Sequence, residues 1–117
     1  MTQDNLATVE HIDLDEYMEF TRSTVVYNPL AEGDYVTAGL VGEVGEVCSA
    51  IAKFHRGDYN IFEFKARLFA EMGDILWFLA RIADYYDFSL ENILKANMQK
   101  LRDRQSRNKI QGDGDER

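Results

Sequence analysis

The chain has 117 residues, 45% of them hydrophobic, which suits one folded domain and argues against a disordered protein. A single proline and only eight glycines argue against a β-sandwich or barrel. The lone cysteine, Cys48, excludes an intramolecular disulfide and favours a cytoplasmic protein. The net charge of −8 disfavours a nucleic-acid-binding protein. No stretch approaches the ~20 apolar residues that cross a bilayer. We therefore expect neither nucleic acid nor membrane as a partner.

The first half of the chain carries two helical patterns of apolar residues. One covers 12–26, with Asp13 placed to cap its start. The other covers 34–54 and is followed by Gly57, which can adopt the left-handed conformation that ends many helices. We therefore predict two helices separated by a short connection.

The second half carries two more helical patterns. Apolar residues lie on nearly every side of 61–86, which predicts a helix that is central or buried at a subunit interface. Ser89 is placed to cap a fourth helix. The pattern predicts an all-α, four-helix bundle-like and oligomeric fold. We expect one domain over 1–117, with a polar leader at 1–11 and a flexible charged tail at 106–117.

Two pairs of carboxylates interrupt these helices. Glu43 and Glu46 lie three residues apart in the second helix, and Glu71 and Asp74 lie three residues apart in the apolar third helix, so each pair shares one helical face. If the helices bring all four acids within ~5 Å, each like-charge pair repels by roughly 3 kcal/mol at an effective dielectric of about 20. Either some of the acids are protonated or cations lie between them. Ligands that are all oxygen favour Mg²⁺, or Mn²⁺, over zinc.

The surroundings of the acids fit a ligand site. Gly39 and Ala50 share the face of the first pair, and both are small enough to leave room. Lys53 falls near the same stripe, where it could contact a phosphate. Phe78 lies one turn beyond Asp74, where its ring could stack on a base or close the core.

Further cations follow near the end of the chain. Asn97, Lys100 and Arg104 share one stripe of the fourth helix and could reach triphosphate oxygens. Arg117 ends a glycine-rich tail that could fold over a bound triphosphate. We expect all four residues to contact the substrate.

These motifs, taken together, resemble those of a known family. The acidic pairs resemble the E-x-x-E … E-x-x-D signature of the MazG superfamily of all-α pyrophosphohydrolases. Residues 97–104 are similar to its N-x-x-K-L-x-x-R stretch, and residues 112–117 to the G-x-G-D-x-R ending of its small single-domain branch. The likeness covers 40–117. One departure is Gly42, which stands where many members have a further acid, so the number of metal ions stays open.

The resemblance implies an activity and a cofactor. It implies that Glu43, Glu46, Glu71 and Asp74 bind magnesium, and that the enzyme hydrolyses (d)NTP to (d)NMP and pyrophosphate, as in the cleansing of nucleotide pools. It also implies a homodimer or homotetramer. One of the acids is expected to double as the general base; Glu43 and Glu46 are the catalytic candidates, and we favour Glu46.

Three other functions fit the sequence less well. Phosphoribosyl-ATP pyrophosphohydrolase carries an E-x-A-D motif with a histidine nearby, whereas Met72-Gly73 stand here and no histidine follows. A di-iron four-helix protein would need Glu-x-x-His pairs, which this chain lacks. A non-catalytic helical interaction module would leave the acids of the apolar helix unexplained.

Overall fold

The protein is described here by a computed structural model that covers residues 11–117. Within that range it contains four α-helices and one short 3₁₀ turn, so the predicted all-α fold is confirmed. The predicted leader at 1–11 lies outside the described residues except for His11. The elements are α1 (Leu14–Ser23), the 3₁₀ turn Pro29–Ala31, α2 (Glu32–Arg56), α3 (Ile61–Tyr85) and α4 (Leu90–Ser106).

Local signals explain where most helices begin and end. The Asp13 carboxylate accepts a hydrogen bond from the backbone of Glu16 at 2.7 Å, which confirms the predicted cap of α1. Ser89 caps α4 in the same way, and Gly57 ends α2 with a left-handed φ of 91°. Asn60, which the sequence analysis did not identify, caps α3.

The two long helices, α2 and α3, form an antiparallel hairpin through the loop 57–60 and share the most extensive contact in the structure. The short helix α1 packs against α3, and α4 packs against α1. A small core of Met18, Ala80 and Ala83 joins α1 to α3. The helices therefore do not close into a complete four-helix bundle within one chain.

A large apolar surface remains open. The radius of gyration is 17.3 Å, compared with about 13 Å for a compact domain of this length. Side chains that a closed bundle would bury are exposed on every helix, among them Phe20, Val44, Phe62, Leu76 and Leu94. So much exposed apolar surface is unusual for a monomer and is typical of an interaction surface.

A buried arginine fixes the connection between α1 and α2. Arg81 is only 4% exposed and donates hydrogen bonds to Asp84 at 2.7 Å and to Glu32 and Thr21 at 3.3 Å each. Arg22 donates to the other side of Asp84. These contacts join the end of α1 and the start of α2 to the last turns of α3.

The stretch Pro29–Arg56 is long and apolar enough to cross a membrane by length and composition alone. This criterion is weak, because a long core helix meets it as well. Glu43 and Glu46 lie in the middle of the stretch, and α2 packs along α3. We therefore describe it as one half of the hairpin.

Candidate metal centre

Three of the four predicted metal ligands meet where α2 crosses α3. Glu43 projects from α2, and Glu71 and Asp74 project from α3. One carboxylate oxygen from each lies within 4.8 Å of the other two. The i,i+3 spacing places the α3 acids on one face, and the antiparallel hairpin turns that face toward Glu43. The structure thus brings together acids of both helices for these three residues.

The electrostatics of this cluster favour a bound cation. Burial raises the pKa of Glu43 most, and the hydrogen bond with Glu71 and the negative charge of Asp74 raise it further, to about 7 from an ordinary value of 4.5. The raised pKa of Glu43 thus reflects burial first and the neighbouring acids second. Three carboxylates and no nitrogen or sulfur ligand fit a hard divalent ion such as Mg²⁺ or Mn²⁺.

The fourth acid, Glu46, lies outside this cluster. Its side chain is exposed, and its oxygens are not among those that meet within 4.8 Å. Glu46 follows Glu43 by three residues, so the two side chains stay on neighbouring parts of the α2 surface. Glu46 is therefore near the acid cluster without being packed into it.

Phe78 is packed into the hairpin. Its ring is 9% exposed and occupies the space that the missing side chain of Gly39 leaves. A Cβ atom added to Gly39 would lie 2.1 Å from the Phe78 ring, so Gly39 makes room for Phe78 and not for a ligand. The ring also lies next to Trp77 and Tyr35, with centroids 5.0 and 6.2 Å away.

Tyr17 belongs to the neighbourhood of the acids, although the sequence analysis did not identify it. It projects from α1, and its pKa is raised by burial and then by the negative charge of Asp74. The helical periodicity of α1 fits Tyr17 as a core residue. Nothing in the sequence of α1 indicates that Tyr17 approaches Asp74 on α3.

The cations of α4 are engaged by the C-terminal tail. Lys100 and Arg104 both contact one oxygen of the Asp115 carboxylate, at 2.8 and 3.1 Å. Arg104 is 5% exposed and also donates to the backbone carbonyl of Asp115. Both cations lower the pKa of Asp115, Lys100 more strongly. Asn97, one turn before this pair, is exposed.

The tail is folded back onto α4, whereas the sequence suggested a free arm. Its last residue, Arg117, donates to the backbone carbonyls of Ile110 and Gly114. Gly112 has a φ of 137°, and a Cβ there would lie 2.9 Å from the Arg117 side chain. Arg117 therefore stabilises the tail loop, and the structure does not bring it to the acids.

An apolar groove lies beside the acid cluster. It has a volume of about 590 Å³ and is lined by residues of α1, α3, α4 and the turn before α4. Gly73, the neighbour of Asp74, forms part of its wall, as do Tyr17, Leu76, Phe88 and Leu94. Several of these side chains are about half exposed, so the groove is open to solvent in the single chain.

Comparisons with known proteins agree with these features. The family model of the MazG nucleotide pyrophosphohydrolase domain matches residues 32–108, which include all four acids. Gene 37 protein of Mycobacterium phage L5 is 35% identical over 115 residues, which cover 92% of this chain and 99% of that protein. The protein YvdC of Bacillus subtilis (strain 168) is 34% identical over 77 residues, 59% of this chain and 73% of YvdC. No solved structure matches the chain.

Proposed function

The chain belongs to the MazG nucleotide pyrophosphohydrolase family, and on this basis we propose that it hydrolyses nucleoside triphosphates to monophosphates and pyrophosphate with a divalent metal ion. The observation that carries the proposal is the convergence of Glu43, Glu71 and Asp74 from two helices within the matched range. We further propose that the enzyme acts in the cytoplasm on (d)NTPs, in the cleansing of nucleotide pools.

All four acids would bind the metal ion in the proposed reaction, and one of them would also act as the general base. Glu43, Glu71 and Asp74 would hold the ion, Mg²⁺ or alternatively Mn²⁺, and Glu46 would complete the oxygen ligands. When bound, the metal would polarise phosphate oxygens and reduce the repulsion between the acids and the polyanionic substrate. We assign the role of general base to Glu46, because its carboxylate is exposed and lies outside the packed cluster, where it can accept a proton from water. Glu43 is the second catalytic candidate.

The predicted substrate-binding residues differ in whether contacts within the chain already occupy their side chains. Lys53 is half-buried on α2 and forms no salt bridge within residues 11–117, so its charge is available to a phosphate. To bind a phosphate, Lys100 and Arg104 would have to release the Asp115 carboxylate. Arg117 would have to break its hydrogen bonds within the tail loop. Asn97 is exposed and available. Phe78 would act by forming a wall between the site and the hairpin interior.

We also propose that the enzyme is a homodimer or homotetramer. The open arrangement of the helices, the exposed apolar side chains and the groove of about 590 Å³ all support association with further copies. Light scattering at micromolar concentration should give a multiple of the chain mass of 13.5 kDa. A monomer at that concentration would contradict this proposal.

The activity can be tested on the eight common (d)NTPs with Mg²⁺, by measuring both monophosphate and pyrophosphate. EDTA should abolish turnover. Glu71→Gln should lower kcat/KM by at least about 100-fold, because even partners of metal ligands contribute 10–100-fold. Glu63→Gln is the matched control, since Glu63 is an exposed acid of the same helix, about two turns away. Formation of diphosphate and orthophosphate, or turnover in EDTA, would contradict the proposal.

A further inference from the structure

Arg67 lies one turn before Glu71 on α3, and this spacing places it on the helix face that carries Glu71 and Asp74. Residues at i and i+4 are neighbours on a helix and often form an ion pair, as Glu91–Lys95 and Asp103–Arg107 do on α4. Arg67 forms no such pair with Glu71 or with any other carboxylate of residues 11–117. Its side chain must therefore point elsewhere.

The guanidinium of Arg67 lies over the ring of Tyr59, with its central carbon 4.4 Å from the ring centroid. Tyr59 belongs to the loop 57–60 that joins α2 to α3, and its side chain is half-buried. A cation over an aromatic face is attracted by the ring quadrupole. Tyr59 thus holds the charge of Arg67 toward the hairpin loop and away from the acids.

This separation matters for a metal centre. A guanidinium in contact with Glu71 would occupy the carboxylate oxygens that a metal ion needs. Held over Tyr59, Arg67 leaves these oxygens free while its charge stays about one turn away. Arg67 is exposed, so the donors of its guanidinium remain open to a ligand from solvent.

A second cation lies at the same end of the hairpin. Lys53, on α2, contributes after Arg56 to the lowered pKa of Asp58, which places the Lys53 charge near the same loop. On the opposite side of the acids, Phe78 fills the space beside Gly39. Lys53 and Arg67 therefore lie on one side of the acid cluster, and the packed ring of Phe78 lies on the other.

We propose that Arg67 binds the β- and γ-phosphates of the substrate, together with Lys53, so that the polyphosphate points toward the loop 57–60. The inference rests on the proposed function and adds the direction in which the triphosphate lies. The planar guanidinium can donate two parallel hydrogen bonds to phosphate oxygens, and the charge of the pyrophosphate leaving group would develop beside it. Lys100 and Arg104 are engaged by Asp115, whereas Arg67 has no anionic partner within residues 11–117 to release.

The test is calorimetric binding of a non-hydrolysable α,β-methylene nucleoside triphosphate with Mg²⁺. Arg67→Ala should weaken binding by about 10- to 100-fold, since charged hydrogen bonds contribute about 1.5–3 kcal/mol. Lys65→Ala is the matched control: Lys65 is an exposed cation of α3 about 200° around the helix from Arg67, and its removal should change affinity less than twofold. Arg67→Lys should give an intermediate loss.

Two further comparisons distinguish a contact with the β- and γ-phosphates from a general effect on ligand binding. Arg67→Ala should leave the affinity for the nucleoside monophosphate unchanged, because that ligand has no β- or γ-phosphate. Tyr59→Leu should weaken binding of the triphosphate analogue, whereas Tyr59→Phe, which keeps the ring, should not. Equal triphosphate affinity of Arg67→Ala and wild type would overturn this inference alone. A wild-type protein that binds no triphosphate analogue would overturn the proposed function as well.

Discussion

Glu43 on α2 and Glu71 on α3 face each other across the hairpin, with carboxylate oxygens no more than 4.8 Å apart. Burial, the hydrogen bond between the two groups and the charge of Asp74 raise the pKa of Glu43 to about 7. The two acids come together although the second half of α2, the hairpin loop and the first turns of α3 separate them in sequence. Without a cation, Glu43 is partly protonated at neutral pH, and a metal ion must displace that proton.

Metal affinity should therefore depend on pH. Because the pKa of Glu43 is about 7, metal binding at pH 6 displaces close to one proton, whereas at pH 8 the carboxylate is already ionised. We expect the dissociation constant for Mg²⁺ to rise about tenfold from pH 8 to pH 6. Calorimetry in buffers of different ionisation enthalpy would count the released protons. Equal affinity at the two pH values would argue against a metal site built on Glu43.

The same group affects the stability of the metal-free protein. Its folded-state pKa of about 7 exceeds the ordinary value of 4.5, so between these values the folded state binds more protons than the unfolded state. The free energy of unfolding should thus fall as pH rises through this window. The lowered pKa values of Asp58, Asp84 and Asp115 act at lower pH and do not oppose this trend. Tm in EDTA should be lower at pH 8 than at pH 5, and Mg²⁺ should remove the difference.

The contact between Gly39 and Phe78 predicts opposite effects of two similar substitutions. Gly39→Ala places a Cβ 2.1 Å from the Phe78 ring, and such overpacking costs about 1–3 kcal/mol. Gly42→Ala, one turn further along α2, meets no atom within 4 Å and should stabilise the helix by up to about 1 kcal/mol. Urea unfolding at one protein concentration measures both. If Gly39→Ala were as stable as Gly42→Ala, Phe78 would not fill this space.

The helices and the face shared by each pair of acids could be predicted because their signals are local. Caps such as Asp13 and Ser89 and the apolar periodicity fix the helices, and the i,i+3 spacing fixes which acids share a face. Which acids actually meet depends on the rotation of α2 against α3. That rotation is set by long-range packing such as Phe78 against Gly39, and it leaves Glu46 outside the cluster.

Other features of the structure could not be predicted from local sequence patterns. The cations of α4 share a stripe, as predicted, but their partner is Asp115, which returns to α4 after the chain reverses at Asn108 with a φ of 56°. The open arrangement of the helices could not be read from periodicity, because an apolar face does not specify whether its own chain or another covers it. The cation–aromatic contact of Arg67 with Tyr59 has no periodic signal at all.

Arg81 should be among the most sensitive positions for stability. It is 4% exposed and contacts the carboxylates of Glu32 and Asp84. Arg81→Met would keep most of the side-chain volume but leave Glu32 without its cation, at a cost of about 3 kcal/mol. The control Lys95→Met breaks the exposed pair with Glu91 and should cost less than about 1 kcal/mol. Similar effects of both variants in urea unfolding would contradict the structural role of Arg81.

The last prediction concerns the tail and uses two aspartates of one loop. Asp115 contacts Lys100 and the buried Arg104, whereas Asp113 accepts only a hydrogen bond from the backbone of Gly114. Asp115→Asn should lower Tm, because Arg104 then loses its carboxylate partner in a poorly solvated position. Asp113→Asn removes the same charge and should leave Tm nearly unchanged.

The same pair of variants tests whether the α4 cations bind substrate. If Lys100 and Arg104 exchange Asp115 for a phosphate, Asp115→Asn removes a competing anion and should lower KM for the triphosphate, and Asp113→Asn should not. If Asp115 instead only anchors the tail, Asp115→Asn will lower Tm without lowering KM. The two measurements on these variants thus separate a structural pairing from one that a polyphosphate displaces. An unchanged Tm for Asp115→Asn would show that the tail contact contributes nothing to folding.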